Sequence, residues 1–256
     1  MKTINENLIE SLLPGKILAV QVGPNRTAVL AETDDGICCG LAATLSNPEF
    51  DHKLHPSVRE AGDLHKLNPA DLAGLIESQS FTKVAIGLAT INALLPRSPN
   101  QWADIHAEEY LFEHGANKNI VVVGHFPFVD RLRPVAKNLW VLELNPKEGD
   151  LPAEAAPDVV PQADVIAITA TTLINKTFQG LIELCQPQAR VILVGPSTPL
   201  SPIMYEYGID VLSGTIVTNP QEVLTGIGQG ISFHQLRQKK VVRLVTLQKG
   251  IHQSLL

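Results

Sequence analysis

Ile120-Val121-Val122-Val123-Gly124 and Val191-Ile192-Leu193-Val194-Gly195 are two apolar runs that each stop at a glycine, and Val165-Ile166-Ala167-Ile168-Thr169 is a third that opens into threonines. Unbroken Val/Ile runs without polar alternation are the pattern of strands buried on both faces. Such strands belong to parallel sheets covered by helices. In those sheets ligands bind at the carboxyl ends of the strands. The three strand ends therefore point to one place, built from His125-Phe126-Pro127-Phe128, from Thr169 to Asn175, and from Pro196 to Pro199.

Strand and helix patterns alternate from Ile120 onward. The predicted strands are 120–123, 139–144, 165–169, 191–194, 211–212 with 215–217, and 241–247. The predicted helices are 130–137, 173–185, 202–207 and 221–229. This alternation predicts a parallel, doubly wound sheet. Residues 145–161, with four prolines, read as a loop crossing near the site.

The front of the chain is different. Leu8, Ile9, Leu12 and Leu13 have helical spacing. Residues 16–22 and 26–32 flank Gly23-Pro24-Asn25 and read as a hairpin, with a third strand over 36–42. Asn68-Pro69 is a helix start, with Asn68 as N-cap and Pro69 in the first turn. Helices are also predicted over 82–95 and 104–114. The expected division is a smaller α+β unit over 1–115 followed by an α/β unit over 116–256.

The bulk numbers narrow the function. The chain has 256 residues, 45% hydrophobic and 18% charged, with a net charge of −6. That is a globular composition without the basic stripe of a nucleic-acid binder. The basic cluster Arg237, Lys239, Lys240 and Arg243 reads as a solvated turn. No run reaches the ~18 apolar residues of a membrane helix. The acidic N-terminal stretch reads as helix rather than leader. Three cysteines give no disulfide framework, so a cytoplasmic location is expected. Asp51, His52, His55 and His65 read as solvated rather than as a metal site, and no metal ligand is assigned.

The first strand–helix turn carries only the first glycine of a dinucleotide fingerprint, Gly124, and Pro127 removes an amide that could cradle phosphate. An ordinary NAD or FAD site is therefore not expected, and no cofactor is assigned. Glu143 lies 19 positions after Gly124, where dinucleotide folds place an acid on ribose hydroxyls. It either meets a nucleoside-like ligand or faces solvent. His125 sits in the ligand-facing turn, and histidine as a residue type is suited to proton transfer; its alternatives are proton transfer or a structural bond. Thr171, Thr172 and Asn175 can cap a helix or bind a polar ring edge. Gly195, Pro196, Ser197 and Thr198 make the same offer at the next strand end. Phe126 can stack on a flat ligand or plug an interface. Asn92, an amide on an apolar helix, needs a hydrogen-bonding partner.

With Gly124–Phe128, Glu143–Pro146, Ile168–Asn175, Val194–Leu200 and Leu212–Thr215 in hand, the chain resembles a domain-of-unknown-function family labelled "putative heavy-metal chelation", together with its companion N-terminal domain. The resemblance implies an enolase-N-terminal-like domain joined to a Rossmann-like, methyltransferase-like domain, with a site in the cleft between them. It implies condensation or hydrolysis of a pterin-, flavin- or siderophore-like metabolite linked to metal handling. His125 and Glu143 would do the proton work. Asn92, Gly124, Phe126, Pro127, Thr171, Thr172, Asn175 and the Gly195–Pro199 loop would hold the ligand. The pattern expects glycine after Asn175, and this chain has Lys176. Two other functions compete: an adenosylmethionine-dependent methyl transferase, and a non-catalytic binder of a metal or metal chelate. The expected partners are a small molecule or its metal chelate and, in a homo-oligomer, a second copy of the chain.

Overall fold

The computed structural model describes residues 2–45 and 58–250. Asp51, His52 and His55 lie outside the described residues, and His65 is exposed. The chain is α/β, with two sheets. Helix α1 (Ile4–Glu10) opens with a capping box between Thr3 and Glu6, which satisfies two otherwise orphaned backbone donors. Strands β1 (Gly15–Val22), β2 (Arg26–Thr33) and β3 (Gly36–Ala43) form an antiparallel meander in that order. Helix α2 (Pro69–Ala73) starts where the sequence places it, with Asn68 Oδ1 accepting from Ala70 N at 2.8 Å.

Helix α3 (Phe81–Leu94) is buried from Val84 to Leu94 apart from Asn92. A helix apolar on nearly every side has to be enclosed. One side of α3 lies on the meander so closely that a Cβ at Gly40 would fall 2.1 Å from Ala89 O. Helix α4 (Ala107–Gly115) packs on the larger sheet through Tyr110 and Leu111.

The larger sheet contains β4 (Asn119–Val123), β5 (Asn138–Glu143), β6 (Leu151–Pro152), β7 (Val165–Thr169), β8 (Arg190–Val194), β9 (Val211–Val217) and β10 (Val242–Gln248). Their spatial order is β10-β9-β8-β7-β4-β5-β6, parallel throughout except for β10 on β9. From β4 onward this is the doubly wound 3-2-1-4-5-6 order with one antiparallel edge strand added. The apolar runs sort by parity, as a strand's period of two requires. Ile120, Val122, Val165, Ala167, Ile192 and Val194 pack on one face with Leu111 and Leu132. Val121, Ile166, Ile168, Val191 and Leu193 face the other way, into a core shared with α3 and the meander.

Several boundaries differ from the predicted ones, each for a local reason. The helix expected over 130–137 is a single turn, α5 (Val129–Leu132), because Pro134 cannot donate a helical hydrogen bond. The helix expected over 173–185 is split into a 3-10 turn (Ala170–Leu173) and α7 (Phe178–Leu184). The break falls at Lys176, whose φ is +63°. The loop over 145–161 contains the short strand β6 and the turn α6 (Ala156–Val159). The predicted strand pieces 211–212 and 215–217 join through Ser213 and Gly214 into one uninterrupted β9. Leu200 leaves no room there for a larger residue, since a Cβ on Gly214 would lie 2.9 Å from its Cδ2. Helices α8 (Pro220–Gly228) and α9 (Phe233–Gln238) precede β10. No described helix is long and apolar enough to cross a membrane.

Candidate functional site

The strand order reverses between β4 and β7, and the carboxyl ends of β4, β5 and β7 open there into a cavity of about 760 Å³. That volume suits an organic molecule of drug or cofactor size. Val123, Leu142, Leu181 and Leu184 give it an apolar floor, and Glu154 and Lys176 add charge.

Gly124 makes the first turn possible. Its φ of +100° lies in the left-handed region, and a Cβ would press on Thr169 at 3.2 Å. The chain then presents His125 and Phe126 to the cavity. Glu143, at the end of β5, fixes this turn: its Oε1 accepts from His125 N at 2.6 Å and its Oε2 from Leu144 N at 3.1 Å. Both carboxylate oxygens are therefore engaged by backbone, so Glu143 shapes the site besides lining it.

His125 Nδ1 lies 2.9 and 3.1 Å from the two carboxylate oxygens of Asp150. The Asp150 side chain has no solvent-exposed surface, and Oδ2 also accepts from Lys147 N at 3.1 Å. Burial pushes the Asp150 carboxyl up, but the hydrogen bond from His125 opposes it. The Lys147 amide and the charges of His125 and Arg133 add to that opposition, and the balance falls below the ordinary carboxylate value. An ionised Asp150 only accepts. It therefore keeps the proton on Nδ1 and leaves Nε2, across the ring, as the nitrogen the cavity can use.

The threonine cluster satisfies itself in part. Thr169 Oγ1 lies 3.0 Å from Thr171 Oγ1 and caps Thr171 N, and Thr172 Oγ1 donates to Thr169 O at 2.7 Å. Thr171 and Asn175 still line the cavity. Asn175 Oδ1 accepts from Thr177 N and Oγ1, so its amide N–H groups are what it offers a ligand.

The expected site residues therefore separate. Gly124, His125, Phe126, Glu143, Thr171, Thr172 and Asn175 share the main cavity. All of its described lining comes from residues 123 to 184, whereas the expected site lay in a cleft between two units. A second cavity of about 350 Å³, lined by Pro127, Gly195 and Pro196 with Arg26 of β2, occupies the junction instead, and Phe126 forms part of both walls. Ser197 is buried and ties the sheets together: its Oγ accepts from Ala43 N at 2.8 Å, and its carbonyl accepts from Asn92 at 3.1 Å. Asn92 also donates to Leu41 O at 2.8 Å, and Thr198 donates to Ser213 O at 3.2 Å. Between Asn92 and Thr198 only about 20 Å³ is open. Asp150 and Glu154 were not foreseen. Both sit in the proline-rich stretch expected to cross near the site, but which of its side chains faces His125 depends on the path of that stretch.

A bare metal ion finds no ready cage. Among the described residues no group of three or more His, Cys, Asp or Glu side chains could hold one. His125 Nδ1 and both Glu143 oxygens are already hydrogen-bonded. Burial pushes the Cys39 thiol up to about 12 and the Cys185 thiol up to about 11, which disfavours the thiolate a soft metal needs.

Two sheets, a reversed strand order and a cavity of small-molecule size at the carboxyl edge define this α/β protein. The chain belongs to the DUF364 family, described as "Putative heavy-metal chelation", whose model matches residues 107–246. The DUF4213 model, with the same description, matches residues 5–95. The chain is similar to a crystal structure of a DUF364 protein from Desulfitobacterium hafniense, with a TM-score of 0.79, 25% identity and coverage of 96% of this chain and 98% of that one. A Pyrococcus horikoshii member superposes with a TM-score of 0.78 at 20% identity and the same coverage, a likeness of fold. An uncharacterized protein of Methanocaldococcus jannaschii is 26% identical over 204 residues, 77% of this chain and 76% of its own length.

Proposed function

We propose that the protein is an enzyme that hydrolyses or condenses a planar, polar metabolite of the pterin, flavin or siderophore class, taken up free or as its metal chelate. The observation that carries this is the His125–Asp150 pair at the wall of the main cavity. A histidine with one nitrogen held by a buried carboxylate and the other without a hydrogen-bond partner among the described residues is arranged for general-base work. His125 Nε2 would take a proton from water as its oxygen bonds to an electrophilic carbon of the ligand. Asp150 would stabilise the resulting imidazolium, and that proton would then pass to the leaving group. Thr171 and Asn175 would orient the ring edge, Phe126 would pack on its face, and Glu143 would hold the turn. The donor set does not suit a naked ion, so the family's metal-related description fits best if the metal is held by the ligand.

Methyl transfer is a second reading, favoured by Glu143 at the end of β5 in a doubly wound sheet. Native mass spectrometry of freshly purified protein separates the two, followed by thermal-shift and turnover assays with a pterin, flavin mononucleotide, a catechol amide, each metal chelate and adenosylmethionine. A retained or turned-over heteroaromatic or catechol compound supports hydrolysis or condensation. An adenosyl compound transfers the site to the second reading. With a turnover substrate, Asp150→Asn should lower kcat about 10²-fold or more while KM changes little. Unchanged kcat in a folded Asp150→Asn protein would remove the pair from the mechanism.

A further inference from the structure

The second cavity, of about 350 Å³, is lined by residues of both sheets and of the segments between them. Its apolar surface includes Phe126, Phe128 and Phe233. Phe126 and Phe128 are stacked, with ring centroids 5.1 Å apart and planes 6° from parallel. Its charge is positive, although the chain as a whole carries −6. Arg131 is neutralised by Glu108 at 2.6 Å, which leaves Arg26 and Arg237.

Arg26 is the unusual member. Its guanidinium lies 5.6 Å from the Phe233 ring centroid, and one Nη donates to Asn25 O at 3.0 Å. Its Nε is buried without a hydrogen-bond partner. No described carboxylate pairs with it. A half-buried guanidinium is costly when unpaired, and its planar fork matches a carboxylate or phosphate. Arg237 stands exposed among the other lining residues.

We propose that this cavity is a second binding site, for the oxyanion of an aromatic ligand, with the anion on Arg26 and Arg237 and the ring against the phenylalanines. The site is separate from the His125 cavity, with Phe126 as the shared wall.

The test is a fluorescence titration of the whole chain with 2-naphthoate, 2-naphthyl phosphate and the neutral 2-naphthamide. Both anions should bind more tightly than the amide, and the tighter of the two identifies carboxylate or phosphate as the preferred group. Arg26→Gln should weaken the anions about tenfold or more, since a hydrogen bond to a charged partner is lost, and leave the amide unchanged. Arg237→Gln, at an exposed position, should weaken them several-fold and decides the matter if Arg26→Gln does not fold. His125→Gln should leave all three unchanged. The proposal is overturned if neither anion binds, if the amide binds as tightly as the anions, or if the folded arginine variants keep wild-type affinity. Loss of binding in His125→Gln would place the probes in the other cavity and also overturn it.

Discussion

At the residue scale, Lys176 joins sequence to structure most directly. The family resemblance predicts glycine at this position, and the backbone here has a φ of +63°. That conformation costs an L-residue about 1–2 kcal/mol, and glycine adopts it freely. The Lys176 Nζ donates to Glu77 O at 3.3 Å, an exposed and weak bond. Lys176→Gly should therefore stabilise the protein by about 1 kcal/mol, less the greater chain entropy of glycine. Urea unfolding checks the sign, and a lower midpoint in the variant would mean that the Glu77 contact outweighs the strain. The same scale separates Glu143 from Asp150. The spacing after Gly124 marks Glu143 in the sequence. Asp150 reaches His125 only through a loop whose course depends on β6 pairing with β5.

At the element scale, the contact between β3 and α3 is set by Gly40. A side chain there would meet Ala89 O at 2.1 Å and Ala93 N at 2.3 Å, both main-chain atoms that cannot step aside. Gly40→Ala should destabilise by about 3 kcal/mol or more, at the upper end of overpacking costs. Gly74→Ala is the control. Its φ is −58°, and nothing lies within 4 Å of the added carbon, so a gain of about 0.5 kcal/mol is expected. Thermal or denaturant midpoints of the two variants should move in opposite directions, and similar shifts would contradict the close approach. Element types were legible because periodicity encodes them, and β4, β7 and β8 fall within a residue of their predicted limits. The shortening of α5 and the splitting of the helix before α7 were less legible. Apolar spacing continues through both breaks; Pro134 marks the first in the sequence, whereas the second shows only in the backbone at Lys176.

At the scale of the whole molecule, the two expected units share one core. Leu8, Ile17 and Leu94 belong to the same buried cluster as Val121, Ile166 and Leu193. Ser197 fastens the junction, its Oγ accepting from Ala43 N at 2.8 Å and its carbonyl from Asn92 Nδ2 at 3.1 Å. Burial on that scale makes separate unfolding of residues 1–115 and 116–256 unfavourable, despite the chain's length. Tryptophan fluorescence, from Trp102 and Trp140, and far-UV circular dichroism should report a single coincident transition in urea. Two resolved transitions would show that the units are independent.

Local pattern in the amino-acid sequence sets the strands other than β6 and their burial, the antiparallel front, the α/β back and the carboxyl edge at which a ligand site would form. These follow from period, turn chemistry and the cost of exposing apolar runs, all of which are local. How the candidate residues divide depends on the three-dimensional packing. It placed His125 beside Asp150 and turned Ser197 and Asn92 into fasteners. It also opened two cavities on either side of Phe126. Those outcomes depend on packing between distant segments, where a shift of a few ångströms decides whether a polar side chain meets a backbone, another side chain or a ligand.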